Sequence, residues 1–156
     1  MQTKKVDTED MVVGFAFDDK LLNVALIKKK KPEWQKGYLN GVGGKVKDGE
    51  GYHEAMTREF EEETGVKVER WNNSAIFYIQ GVYLYFFYAI LETPLFVKIK
   101  SMTDETVVIA DVYYLPPTVI QNLRWLIPMC LDDWIIKPVR IDCPNLKNKA
   151  KESFEA

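Results

Sequence analysis

GKVKDGEGYHEAMTREFEEETGV, residues Gly44 to Val66, is the stretch on which the reading of the whole chain turns. A glycine-punctuated loop runs into a helix expected from about Gly51 or Tyr52 to Gly65, which is placed to be its C-terminal glycine. Met56 and Phe60, one turn apart, supply the buried stripe, with Ala55 small enough to let it approach its neighbours. At about 3.6 residues per turn, Glu59, Glu62 and Glu63 stand at i, i+3 and i+4, so their carboxylates emerge side by side. Like charges at that spacing repel by a few tenths of a kcal/mol per pair in water, and by more where water is thinned. Arg58 alone cannot neutralise all of them. Hard divalent cations take oxygen ligands, and magnesium keeps waters and bridges to substrate phosphates. The residues alone leave two readings: a solvated acidic helix face, or a magnesium or manganese site.

The spacing around the acids separates the two. Gly44, then Glu50, then Arg58-Glu59-Phe60-x-Glu62-Glu63-x-Gly65-Val66 resembles the signature of the Nudix hydrolases, MutT-like enzymes, at every defined position. The resemblance implies metal-dependent hydrolysis of a nucleoside diphosphate-linked substrate, with Mg2+ as the ion and Mn2+ as a substitute. It implies Glu59, Glu62 and Glu63 as metal ligands and the Gly44 carbonyl as a further one. Glu50 is then an outer ligand or a partner for Arg58. Arg58 could pair along the helix with Glu54 or Glu62; the resemblance favours its holding Glu59 in place. Glu59 is the first choice for the base that takes a proton from water, and a loop residue outside the signature is the other. The catalytic set is therefore Glu59, Arg58 and Glu62. His53, the only histidine, falls on the apolar side of the helix start and is assigned to packing.

Composition bounds what surrounds the signature. The chain has 156 residues, 47% hydrophobic and 13% aromatic, which suits one domain with its own core. A net charge of −2 gives no general attraction to nucleic acid. Cys130 and Cys143 make no disulfide framework and read as a core thiol and a surface thiol in a reducing cytosol. The first ten residues carry no apolar signal segment. The uncharged run from Trp71 to Leu91 is interrupted by Asn72, Asn73, Ser74, Gln80 and Gly81, so no membrane span is expected. A cytoplasmic protein follows, and a homodimer stays open.

In chain order, Met11 to Phe17 and Leu21 to Lys28 read as a hairpin around Asp18-Asp19-Lys20. Lys28 to Lys31 form a basic run. Gly37 to Val46, with its dense glycines, reads as a loop that either walls a site or turns tightly. Ser74 to Gln80 and Val82 to Leu91 are two strands meeting at Gly81, so apolar that they need burial in a central sheet. Thr106 to Leu115 is a further strand, and Leu123 to Asp133 a last helix interrupted or kinked by Pro128. Residues 145–156 read as a loose charged tail. Periodicity alone reaches the α/β class. The resemblance implies the Nudix fold, an α/β/α sandwich with a central mixed sheet, as a single domain over residues 1–156.

The substrate rests on residues outside the signature. Lys28 and Lys30, with Lys45, are the cations placed to lean toward a polyphosphate, or they are solvated strand ends. Asn40, in Leu39-Asn40-Gly41-Val42-Gly43-Gly44-Lys45, resembles the base-reading asparagine of oxidised-purine nucleoside triphosphatases, but an asparagine also suits a tight turn. Asn122, in Asn122-Leu123-Arg124-Trp125, resembles the closing helix of those enzymes. Gln121 and Asn122 stand where adjacent acids are expected, and Leu39 where tryptophan is common. A (d)NTP or oxidised purine (d)NTP is the favoured substrate. A dinucleoside polyphosphate or a nucleotide sugar of the ADP-ribose type is the alternative. A non-catalytic nucleotide sensor or RNA-binding module is the reading from another class, against which the intact glutamate set speaks.

Overall fold

Alternation builds the first strand, β1 (Met11–Asp18): Val13, Phe15 and Phe17 fall on one face and Val12 and Ala16 on the other, all buried. A strand buried on both faces belongs in the middle of a sheet, and the computed structural model, which describes residues 9–144, places it there. The expected tail at 145–156 lies outside the described residues. The other elements are β2 (Asn23–Lys28), β3 (Leu39–Asn40), β4 (Val42–Lys45), α1 (Tyr52–Thr64), β5 (Asn72–Ile79), β6 (Val82–Leu91), α2 (Thr93–Phe96), β7 (Thr106–Asp111), α3 (Leu123–Cys130) and β8 (Val139–Cys143).

Among the described residues eight strands form one mixed sheet in the order β3-β2-β1-β6-β5-β8, with β4 also paired to β1 and β7 to β2. One edge of β1 forks: its first half pairs with β4 and its last residues with β2, both antiparallel. Its other edge runs parallel to β6 along its whole length. The expected hairpins are present. The β5–β6 hairpin closes on Gln80 and Gly81 at φ 48° and 87°, the two positive-φ positions that a two-residue turn matched to strand twist requires.

α1 and the short α2 lie against one face and α3 against the other. Ala55, Met56 and Phe60 of α1 pack on Val12, Ala16, Phe87 and Ala89, while Leu123, Leu126 and Ile127 of α3 pack on Phe15, Phe17, Phe77 and Phe86. This is the expected α/β/α sandwich. Gly65, at φ 76°, ends α1 by donating to the Glu61 carbonyl at 2.9 Å. At the other end Tyr52 stacks on Tyr85 at 3.7 Å and donates to Asp10 Oδ2 at 2.7 Å. His53 sets its ring edge against Phe87 at 4.9 Å, the packing role expected, although it remains exposed.

Three expectations are corrected. Residues 37–46 hold two short strands rather than only a loop, because Gly43 lets β4 lie close against β1. The strand from Thr106 stops at Asp111, whose carboxylate accepts the Tyr113 N–H at 2.8 Å, and the last helix stops at Cys130, shortly before Asp132 captures the Trp134 N–H at 2.9 Å. Such side-chain turns compete with the regular backbone ladder. The chain also adds β8 at the sheet edge, where no element was expected. Both cysteines are free, Cys130 buried and Cys143 half-buried, and burial pushes the Cys130 thiol up to about 11. Among the described residues no helix is long and apolar enough to cross a membrane.

Candidate active site

The acids of α1 are organised by one guanidinium. Arg58 is four-fifths buried and grips Glu50 with two parallel bonds, Nε to Oε2 at 2.7 Å and Nη2 to Oε1 at 3.0 Å. Its Nη1 reaches Glu59 Oε1 at 2.9 Å and Glu62 Oε2 at 3.2 Å, and its Nη2 also donates to the Lys45 carbonyl at 3.0 Å. A planar fork with five donors can do this; a lysine ammonium could not. The hydrogen bonds from Arg58 hold the Glu50 carboxyl below the usual range against the opposing effect of burial, with the Lys47 N–H adding to the depression. Glu50 and Arg58 thus form a two-pronged ion pair. Arg58 also holds Glu59, as expected.

Gly44 completes the clamp from the strand side. A Cβ at this position would lie 2.5 Å from Glu59 Oε1, so the carboxylate of Glu59 rests directly against the β4 backbone. Next door at Gly43 a Cβ would meet the Val12 carbonyl oxygen at 1.9 Å. The two glycines thus serve different surfaces, Gly43 the sheet and Gly44 the acid. Gly44 thus sets the β4 backbone beside Glu59.

Glu63 faces another group. Its Oε2 accepts from the Thr103 hydroxyl at 2.9 Å, and Thr103 Oγ1 in turn accepts the Glu105 N–H at 3.2 Å. Burial raises the Glu63 carboxyl above the usual value, with the nearby Glu105 and Glu59 charges adding to it, against the opposing effects of the Thr103 hydroxyl and Lys29. Glu105 is buried, accepts the Lys30 backbone N–H at 2.6 Å, and pairs with Lys29 Nζ at 3.3 Å. Sequence reasoning singled out neither Glu105 nor Lys29 individually. The available signal was the acidic pair Asp104-Glu105 opening an otherwise apolar strand, opposite a lysine run that needs counter-charges.

The expected phosphate-contacting lysines are dispersed. Lys28 ends β2 with an exposed side chain, Lys30 lies 3.8 Å from Asp104, and Lys45 lies 2.8 Å from Glu9. Lys29 is the cation of that run beside the acids.

A second cluster sits on the α3 side. The Leu39 N–H donates to Thr118 and the Ile120 N–H to Leu39, both at 2.9 Å, which sets β3 beside the segment leading to Asn122. Asn40 is occupied locally: its Nδ2 donates to Gln35 at 3.1 Å and its Oδ1 accepts from Gly41 at 2.8 Å. Asn122 is not. Its Oδ1 is buried without a hydrogen-bond partner, the only such side-chain atom among the described residues. Trp125, one turn on and 44% exposed, lies stacked at 5.8 Å over Phe77.

Whether these acids suit a divalent ion is a question of donor chemistry. They are hard oxygen donors of one sign, and among the described residues no hydrogen bond occupies Glu59 Oε2, Glu62 Oε1 or Glu63 Oε1. No three of them yet converge at coordinating distance among the described residues, because Glu62 is turned to Arg58 and Glu63 to Thr103. Glu62 is 53% exposed, so nothing packed around it prevents its turning inward. The donor set fits magnesium or manganese.

Comparison with known proteins adds to this geometry. The model of the NUDIX domain matches residues 9–125. No curated protein sequence matches the chain significantly. Among solved structures, the MutT NUDIX hydrolase from Burkholderia pseudomallei is similar with a TM-score of 0.64 at 20% identity, covering 78% of this chain and 96% of that one. A MutT from the Aliivibrio salmonicida and Vibrio cholerae pair gives 0.62 at 20% identity, over 79% of this chain and 97% of that one. A NUDIX hydrolase from Nitrosomonas europaea gives 0.61 at 14% identity, over 88% and 80%. At these identities the structures speak for the shared fold.

Proposed function

The chain belongs to the NUDIX domain family and is a pyrophosphohydrolase of that family, and from this premise we propose that it hydrolyses a purine nucleoside triphosphate to the monophosphate and pyrophosphate. The observation that carries the reading is the Arg58 clamp: one buried cation fixes Glu50, Glu59 and the Lys45 carbonyl, and so aims an array of acids at the glycine wall.

Glu59, Glu62 and Glu63 would hold Mg2+, or Mn2+ in its place, with the Gly44 carbonyl as a further ligand. When bound, the ion supplies charge neutralisation on phosphoryl oxygens and an acidified water. The rest falls to the chain. Arg58 keeps Glu59 in one rotamer and spares it a search at the moment of reaction. Glu59 or Glu105 takes the proton from the attacking water as one phosphorus–oxygen bond forms and the anhydride bond breaks. Lys29 offsets the charge of Glu105. Thr103 ties Glu63 to the Glu105 loop, which fixes the distance between the two acids.

The Asn122 amide supports a nucleobase as the other end of the substrate. A buried carbonyl oxygen without a donor costs about 1–3 kcal/mol, which a purine N–H would offset. Trp125 offers the exposed aromatic face on which a base stacks. Asn40 can join only by releasing Gln35 or Gly41.

The test is product release from dGTP, oxidised dGTP, ADP-ribose and diadenosine tetraphosphate, with Mg2+ and with chelator. Metal-dependent pyrophosphate release from the triphosphates is expected. Tight nucleotide binding with no turnover of any member would replace the enzyme by a ligand sensor.

A further inference from the structure

The sheet ends at β8, Val139-Arg140-Ile141-Asp142-Cys143, whose only strand partner among the described residues is β5. Among the described residues no strand pairs with its other edge, which carries backbone donors and acceptors in register. Proteins ordinarily blunt such an edge with like charges, above all lysine, which repel any copy. This one alternates sign.

We propose that β8 pairs antiparallel with β8 of a second copy of this chain about a two-fold axis through Ile141, continuing the sheet across a dimer. Register selects this pairing. A two-fold perpendicular to the sheet keeps each face on its own side, so opposed residues must share a face. Centred on Ile141, Arg140 stands opposite Asp142 of the other copy and Asp142 opposite its Arg140, while Val139 meets Cys143. Moving the centre by one residue sets Arg140 against itself or Asp142 against itself. Opposite-charge cross-strand pairs contribute, and like pairs directly opposed destabilise, so the sequence favours one register over its neighbours.

The two faces of the strand agree with this. Ile141 and Cys143 pack on the α3-side core, so the apolar row of one copy would meet the same row of the other. Arg140 and Asp142 point to the opposite face and are exposed, free to exchange partners. Pro138 has no N–H and bounds the pairing on one side. The loop entering the strand carries Trp134 and Ile136, 97% and 93% exposed, apolar surface within a few residues of the edge strand. Lys137 does not interfere, since its Nζ is tied back to the Asp132 carbonyl at 2.9 Å and lies over the Tyr88 ring.

Sedimentation velocity over a wide concentration range tests the association. The unmodified chain is expected to show a monomer–dimer equilibrium. Arg140→Asp should weaken it by on the order of tenfold or more, since both symmetric pairs become repulsive at once. Arg140→Asp combined with Asp142→Arg restores opposite charges in this register and should recover most of the association. A chain that stays monomeric at every concentration overturns the proposal, and so does a double variant no tighter than the single one. Should the charge variants fail to fold by circular dichroism, Ile141→Cys in a Cys143→Ser background gives a second readout. Oxidation should link the two chains through residue 141, and a chain that remains unlinked overturns the pairing.

Discussion

Gly44→Ala separates the catalytic arrangement from the fold with a single methyl. The added carbon would lie 2.5, 2.6 and 2.7 Å from the Oε1, Cδ and Oε2 atoms of Glu59. Ordinary contact begins at 3.4 Å, so the carboxylate must retreat by 3.4 − 2.5, about 0.9 Å. Glu59 can move, being the end of a flexible side chain, but the retreat strains or breaks its 2.9 Å bond to Arg58. A charge-assisted bond of that kind is worth about 1.5–3 kcal/mol, which bounds the loss of stability. A shift of about 1 Å in a catalytic group costs on the order of 10²-fold in rate. The expectation is a folded protein whose Tm falls by no more than about 10 °C, with kcat on dGTP or oxidised dGTP down about 100-fold. Gly43→Ala is the control: its methyl meets a Val12 backbone oxygen at 1.9 Å, cannot be accommodated by a side chain, and should unfold the β1–β4 pairing. Steady-state kinetics beside thermal melts read both. Full turnover by Gly44→Ala would mean that Glu59 does not work where it is held.

Glu62→Gln should lower kcat on the order of 10³-fold or more with little effect on the melt, since the side chain is half exposed. Asn122→Leu removes a buried oxygen that has no partner, so urea denaturation should show stability unchanged or raised while KM for the purine triphosphate increases. Stability should also fall in acid: Glu50 is depressed by Arg58, and Asp18 is depressed because bonds from Asn23 and Leu22 outweigh its burial. Both contributions are complete above the ordinary carboxylate values and disappear as the pH drops through the lower folded ones. Urea midpoints measured down to about pH 3 should therefore slope, and Glu50→Gln should flatten part of that slope.

What the sequence disclosed was local. The α1 boundaries, its Gly65 stop, the Met56 and Phe60 stripe and the β5–β6 turn each depend on residues a few positions apart, and each was found where expected. The elements overrun in reading, β7 and α3, end at or just before aspartates whose side chains capture a backbone N–H two residues on, a contest that periodicity does not register. Within the site, the acids of α1 were legible because one helix carries them. Glu105 was not, since its place beside Glu63 is fixed by the loop after α2, about forty positions further along the chain, which bonds to the end of α1 through the Lys100 and Met102 N–H groups. For the same reason the lysine run could not say which member faces the acids; the pairing with Glu105 selects Lys29.

The site thus joins two parts with different histories in the folding chain. The Arg58 bonds to Glu50, Glu59 and Glu62 link residues 8, 1 and 4 positions apart and can take shape as the helix winds. The Glu63–Thr103 contact spans 40 positions and the Lys29–Glu105 contact 76, so they wait for the slow closure of long loops. A nascent chain would carry its signature helix preassembled yet inert, and would gain the opposing acid only when the last strands join. Hydrolytic competence then marks the completion of folding rather than its beginning.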